Sequence, residues 1–260
     1  MSRKPYVGVT GFMSQKEVHS VLDAIPPMQF ANYLLMAGIL VGSKTLRGEP
    51  NRHPGRFPKM EQMQDILFPD PRVLWLIHFH TEQRPMLLGE LKEVMLRAGL
   101  HCNGVQLNIA WPEPLLVQEY WEWLSGRQPD PRVVLQVGSR AMNQASNDPL
   151  EIAQRVGVYS HTRTITDVLI DPSGGAGQPF NPIEAAKYLQ AIHEECPELG
   201  LGIAGGLSTT TLGLLDPLIS VFSQLNIDAE GKLRNQENDG LNMAQTVGYV
   251  SLALGMLQKQ

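Results

Sequence analysis

The stretch Gly202-Ile203-Ala204-Gly205-Gly206-Leu207-Ser208-Thr209-Thr210 runs a short buried-type strand straight into two glycines and a helix start. Its place in the chain decides the fold. It is the seventh of eight strand candidates: Tyr6–Thr10, Tyr33–Val41, Val73–Phe79, Gly104–Ile109, Val133–Val137, Thr166–Asp171, Gly200–Ala204 and Val221–Asp228. Each is a short β-branched or apolar run bounded by turn residues. Between and after them lie segments with helical spacing: Lys16–Ala24, Met60–Leu67, Met86–Ala98, Pro114–Ser125, Pro149–Val156, Ile183–Glu195, Thr209–Asp216 and Leu241–Leu257. Helix starts carry capping signals, with Asn181 before Pro182, Ser146 or Asp148 before Pro149, and Ser208. Such alternation fits a closed barrel or an open doubly wound sheet. The first strand has no Gly-x-Gly-x-x-Gly after it, which removes the main sign of a dinucleotide-binding sheet. The glycines follow strands six, seven and eight instead, where barrels place phosphate sites. The sequence predicts a single (β/α)₈ barrel over residues 1–260.

Bulk properties agree. A barrel uses about 250 residues in one domain, and 43% hydrophobic with 18% charged residues is enough to bury its core. A net charge of −5 supplies no basic face, so neither nucleic acid nor an anionic membrane is an expected partner. The run Tyr6–Thr10 is too short for a signal segment or a span. Cys102 and Cys196 stand far apart without metal-ligand spacing, so they read as packed residues in a reducing, cytoplasmic protein.

Three late segments carry chemistry. In Asp171-Pro172-Ser173-Gly174-Gly175-Ala176-Gly177-Gln178-Pro179-Phe180-Asn181, an acid ends a buried strand and points into the barrel mouth. Its glycines, Gly175 and Gly177 among them, let the backbone approach a ligand, or they serve only a tight connection. In the second segment, N–H groups at Gly205, Gly206 and Ser208 would cradle a phosphate at a helix start. Ser208 either adds a donor or simply caps the helix. The third, Asn226-Ile227-Asp228-Ala229-Glu230-Gly231-Lys232, is a second phosphate loop at Gly231 with Lys232 offsetting Glu230, or a solvated turn.

The late half resembles phosphoribosylanthranilate isomerase, a TIM barrel of the ribulose-phosphate-binding type. The family's strand-six acid and its Gly-Gly-[Ser/Thr]-Gly-x-x-Phe-Asp segment are matched by Asp171 and Gly174-Gly175-Ala176-Gly177-Gln178-Pro179-Phe180-Asn181. Its Ala-Gly-Gly-Leu loop is matched by Ala204-Gly205-Gly206-Leu207. Weaker echoes are Val7–Phe12 and Val105-Gln106-Leu107-Asn108, which place Gln106 and Asn108 at the substrate. The resemblance implies Asp171 as general acid. It also implies a cysteine base at the end of strand one, where this chain has Thr10, and a lysine where it has Gly8. A threonine hydroxyl is far too weakly acidic to act as a resting base.

His78 and His80, near the end of strand three, are candidates to share the proton transfer, His80 above all, with a structural role as the alternative. His78-x-His80 lacks a third metal ligand, and no metal is expected. The long basic loop Gly42–Pro58 follows strand two and should overhang the mouth, where Arg47 or Arg56 would meet a ligand anion. Trp111, Trp121 and Trp123 read as packing residues, and the apolar last helix closes the barrel or is buried in a homodimer. The functional expectation is isomerase-type acid–base chemistry, without a cofactor, on a phosphorylated sugar or ribosyl compound, using Asp171, Thr10 and a histidine. The alternative is a barrel that binds a phosphometabolite without catalysis.

Overall fold

The structure, a computed structural model, describes residues 3–173 and 178–258. Eight parallel strands close in sequence order: β1 (Tyr6–Thr10), β2 (Leu34–Gly42), β3 (Val73–His80), β4 (Gly104–Leu107), β5 (Arg132–Gly138), β6 (Asp167–Asp171), β7 (Gly200–Ala204) and β8 (Asn226–Ala229). Closure is made by β8 against β1, with Val7 opposite Ile227 and Val9 opposite Ala229. Helices cover the outside, and the main core lies between them and the outward-facing strand residues such as Val9, Ile39, Ile77, Leu135, Ile170 and Ile227.

Caps explain several helix starts. Ser14 and Glu17 form a reciprocal capping box, while Asp148 accepts from Leu150 N and Asn181 from Ile183 N. The final helix, Met243–Leu257, packs on β1 and on the helix Gln15–Ala24, so it closes the barrel. No helix of the described residues is long and apolar enough to cross a membrane. Trp111, Trp121 and Trp123 are half-buried against the core, and both cysteines are buried and free.

Two expectations are corrected. Strand eight starts at Asn226, not Val221, because Val221 N and Phe222 N turn back to the Leu218 carbonyl at 3.1 and 2.8 Å. The segment after β7 does not enter a helix at Thr209. It makes a turn, a 3₁₀ stretch at Leu212–Leu215 and a short helix, Asp216–Ile219, with Pro217 at its first turn.

The barrel interior is layered. An apolar belt of Met36, Leu74, Leu76, Val134 and Leu169, with Tyr6 and Ala204, fills the middle. Below it, buried Arg132 faces Asp167 at 3.2 Å, and Asn226 donates to the same carboxylate at 3.0 Å. Above it, at the C-terminal ends of the strands, sit Thr10, His78, Gln106, Gln136, Asp171 and Asp228, all buried.

Candidate functional site

The upper layer is one connected network. Thr10 Oγ1 lies 3.1 Å from both carboxylate oxygens of Asp228, to which it donates. Gln106 Nε2 lies 3.1 Å from Asp228 Oδ2, 3.2 Å from Gln136 Oε1 and 3.1 Å from His78 Nδ1. Gln136 donates onward to Asp171 Oδ2 at 3.0 Å, and Ser173 donates to Asp171 Oδ1 at 2.7 Å. Asn108 Nδ2 stands 3.1 Å from His78 Nε2. A neutral imidazole accepts at one nitrogen and donates at the other, so one of the two flanking amides turns its oxygen to the ring. Gln106 Nε2 already donates to Asp228 and Gln136, so Asn108 is the amide that turns its oxygen to the ring.

Two carboxyls thus stand near the ends of β6 and β8, strands separated by β7 alone, and are bridged by two glutamine amides. Burial pushes Asp228 up to about 7; the Glu230 and Asp171 charges add to this, and hydrogen bonds from Gln106 and Thr10 oppose it. Burial also lowers His78, which keeps the imidazole neutral near pH 7. Asp228 has its place because residue 8 lacks a side chain. A Cβ there would lie 2.9 Å from Asp228 Oδ1, 2.9 Å from the Ile227 carbonyl and 2.6 Å from Met36 Cε.

Several expected residues converge on this layer. Asp171, Gly205, Gly206 and Gly231, with Lys232 and Glu230, line a recess of about 60 Å³ together with His78 and Asp228. Thr10, Gln106 and Asn108 belong to the network beneath or beside it. Gly175 and Gly177 lie outside the described residues. His80 stands apart from Asp171: its Nδ1 pairs with the Asn108 carbonyl at 3.0 Å, and it faces an adjoining cleft. His78 is the histidine within the site.

The Ser208 N–H, expected in the phosphate cradle, is engaged inside its own turn. It donates to Thr211 Oγ1 at 2.9 Å, and the Ser208 hydroxyl is shared with Thr210 and Thr211. Among the described residues, no long helix points its dipole at Gly205 and Gly206. Gly206 has φ +61°, and a Cβ on it would lie 2.6 Å from the Gln178–Pro179 backbone. Gly206→Ala is expected to cost about 2–4 kcal/mol, from the left-handed backbone and from overpacking. Urea unfolding measures this, and a cost under 1 kcal/mol would show that the two loops part easily.

The basic loop after β2 overhangs the mouth, but its two candidate anion binders, Arg47 and Arg56, are already paired. Arg56 donates to both Asp239 oxygens at 2.6 and 2.7 Å and lies 3.3 Å from Glu230. His53 Nδ1 lies 3.1 Å from Asp239, and Arg234 donates to Glu230 at 3.1 Å. Loops after β2 and β8 are thereby latched together. Arg47 donates to Glu49 at 2.6 Å and stands 3.8 Å from Glu90. Among the described residues, no group of three or more histidine, cysteine or acidic side chains is placed to hold a metal.

Sequence reasoning missed Asp228, Gln136 and Arg234. The available signal was period two in Asn226-Ile227-Asp228-Ala229, which sends both polar residues inward.

Solved structures resemble this architecture along its whole length. Phosphoribosyl anthranilate isomerase from Thermus thermophilus superposes with a TM-score of 0.60 at 13% identity, over 97% of this chain and 100% of that one. The chain is a TIM barrel. Triosephosphate isomerase from Bartonella henselae gives 0.51 at 10% identity, over 99% and 100% of the two chains. The catalytic domain of a hyperthermophilic chitinase from Pyrococcus furiosus gives 0.56 at 10% identity, over 98% and 97%. At these identities the likeness carries the fold alone, since TIM barrels host many chemistries. No protein-family model matches the chain, and no curated protein matches it in sequence.

Proposed function

We propose that this TIM barrel is a divergent isomerase-type enzyme that moves a proton on a small phosphorylated sugar or ribosyl-type molecule. The observation that carries the reading is the pair of mouth carboxyls, Asp171 and Asp228, joined through Gln136 and Gln106. An isomerisation next to a carbonyl needs one group to take a proton from carbon and another to give one to oxygen. Asp228, held near 7, is poised for either role at neutral pH. It also stands against the Thr10 hydroxyl, where the resemblance leads one to look for a base. In this reading Thr10 orients Asp228 rather than reacting, and Asp171 is its partner. Neutral His78 holds Gln106, one of the two bridging amides, and Asn108. The backbone of Gly205 and Gly206, with Lys232, receives the phosphate. Proton transfer of this kind balances without a redox cofactor.

Hydrogen–deuterium exchange tests the reading whatever the net reaction is. The protein is incubated in D₂O with a panel of aldose, ketose and N-ribosyl phosphates, and carbon-bound deuterium is followed by NMR. A substrate should exchange, and Asp171→Asn and Asp228→Asn should each slow exchange by about 10²–10⁴, the usual contribution of a general acid or base. Binding of a panel member with no exchange would instead favour a non-catalytic metabolite binder.

A further inference from the structure

Beside the recess, between the ends of β3, β4 and β5, opens a second cleft of about 510 Å³. That is within the range of about 300–1,000 Å³ usual for small-molecule sites. It shares Asn108 and Gln136 with the recess, so the two form one continuous mouth. Its character differs. Arg84, Arg140 and His80 line it against a single acid, Glu82.

The state of these cations distinguishes them from Arg47, Arg56 and Arg234 around the mouth. Arg47, Arg56 and Arg234 all spend their charge on acids of the protein. Among the described residues, neither Arg84 nor Arg140 pairs with a carboxylate. Arg84 is nonetheless held in place. Its Nη2 donates to the Ala110 carbonyl at 2.6 Å and its Nη1 to the Trp111 carbonyl at 3.4 Å. A guanidinium has five N–H groups, so this anchoring leaves three for a ligand. The Ala110–Trp111 wall is itself fixed: Trp111, at φ +48°, donates Nε1–H to the Ala141 carbonyl at 2.9 Å. Positive φ is a strained setting for so bulky a residue, and such strain persists where surrounding structure imposes it, often at ligand sites. A preorganised, uncompensated guanidinium beside a second one is the arrangement that recognises a planar or tetrahedral oxyanion.

We infer that the Arg84–Arg140–His80 cleft is an oxyanion subsite, taking a carboxylate or phosphate of the ligand whose reacting part lies over Asp171 and Asp228. The inference rests on the acid–base reading only for what lies at the other end of the ligand. The subsite places a negative group on the β3–β5 side of the mouth, away from the glycine loops of β7 and β8.

Calorimetric titration at low ionic strength, with inorganic phosphate and with succinate as probes, tests it and separates the two oxyanion types. Arg140→Gln is the primary variant, because the Arg140 side chain makes no hydrogen bond or ion pair within the described protein and its loss should not disturb folding. Arg84→Gln/Arg140→Gln is the second variant, with its fold checked by thermal melting. Each lost charge-assisted hydrogen bond should weaken one or both probes by about tenfold or more. Lys16→Gln, on the exposed face of the helix Gln15–Ala24, should leave that affinity unchanged. The readout is binding rather than turnover, so the subsite can stand even if no proton transfer is ever found. Loss of affinity in Lys232→Gln with none in Arg140→Gln would put the anion on the β8 side and overturn the proposal. Failure of the native protein to bind either probe at millimolar concentration would overturn it as well.

Discussion

Asp167→Ala should destabilise the barrel by about 3–5 kcal/mol, because it strands the Arg132 guanidinium in the barrel floor without a counter-charge. Arg132 is 2% exposed and reaches outward only through Nη2, which donates to the Lys4 carbonyl at 3.0 Å. Its Nε lies 3.2 Å from Asp167 Oδ2 but is not aligned for a hydrogen bond, so the attraction between the two is mainly coulombic. Asp167 is in turn held by Thr166 Oγ1 at 2.6 Å and Asn226 Nδ2 at 3.0 Å, which lose their acceptor in the variant. Domains are stable by only about 5–15 kcal/mol, so the loss should be plain in urea unfolding followed by circular dichroism. Arg132→Met/Asp167→Leu should recover most of it, since well-packed apolar residues often replace a buried pair without cost. A cleft of about 570 Å³ opens beneath Asp167 at the N-terminal face. If Asp167→Ala costs under 1 kcal/mol, water enters through that cleft and solvates Arg132.

Asp228→Asn should have the opposite sign at alkaline pH. The rise from the ordinary 3.8 to about 7 corresponds to a penalty on the order of 4 kcal/mol for holding the ionised carboxylate in the barrel. The folded protein binds this proton more tightly than the unfolded chain does. Its contribution is therefore fully favourable below about pH 4 and is lost as pH rises through 7. An asparagine keeps the shape and can still meet Thr10 and Gln106, but it never ionises. The stability difference between variant and native protein should be small near pH 4 and should grow in the variant's favour toward pH 8. Urea midpoints at both pH values measure it. A difference independent of pH would mean that Asp228 is ionised throughout or hydrated. Activity should move the other way, since the group that strains the fold is the one proposed to move the proton.

The barrel was readable because its cues are local. Seven strands sit where alternation and turn residues put them, give or take one or two residues. An eighth strand read from Val221 starts too early, because apolar Val221 and Phe222 are spent in closing a short helix. The helix expected at Thr209 fails because Ser208, Thr210 and Thr211 bond to one another in a turn. Within the site, Asp171 was legible from its strand-end position. Asp228 was not, because its surroundings are assembled by barrel closure, with Thr10 lying 218 positions away in the chain. The pairing of Arg56 with Asp239, across 183 positions, was equally out of reach, and it turns an expected anion clamp into a latch.

The missing side chain at position 8 limits which sequences lie one substitution away. Even an alanine there would crowd the Ile227 carbonyl, which no rotamer change can move, besides Met36 and Asp228. A chain evolving from this one toward a lysine at position 8 would first have to surrender Asp228 and shrink Met36. Positions 8, 36 and 228 therefore behave as one heritable unit, because a side chain can enter at position 8 only after both neighbours have changed.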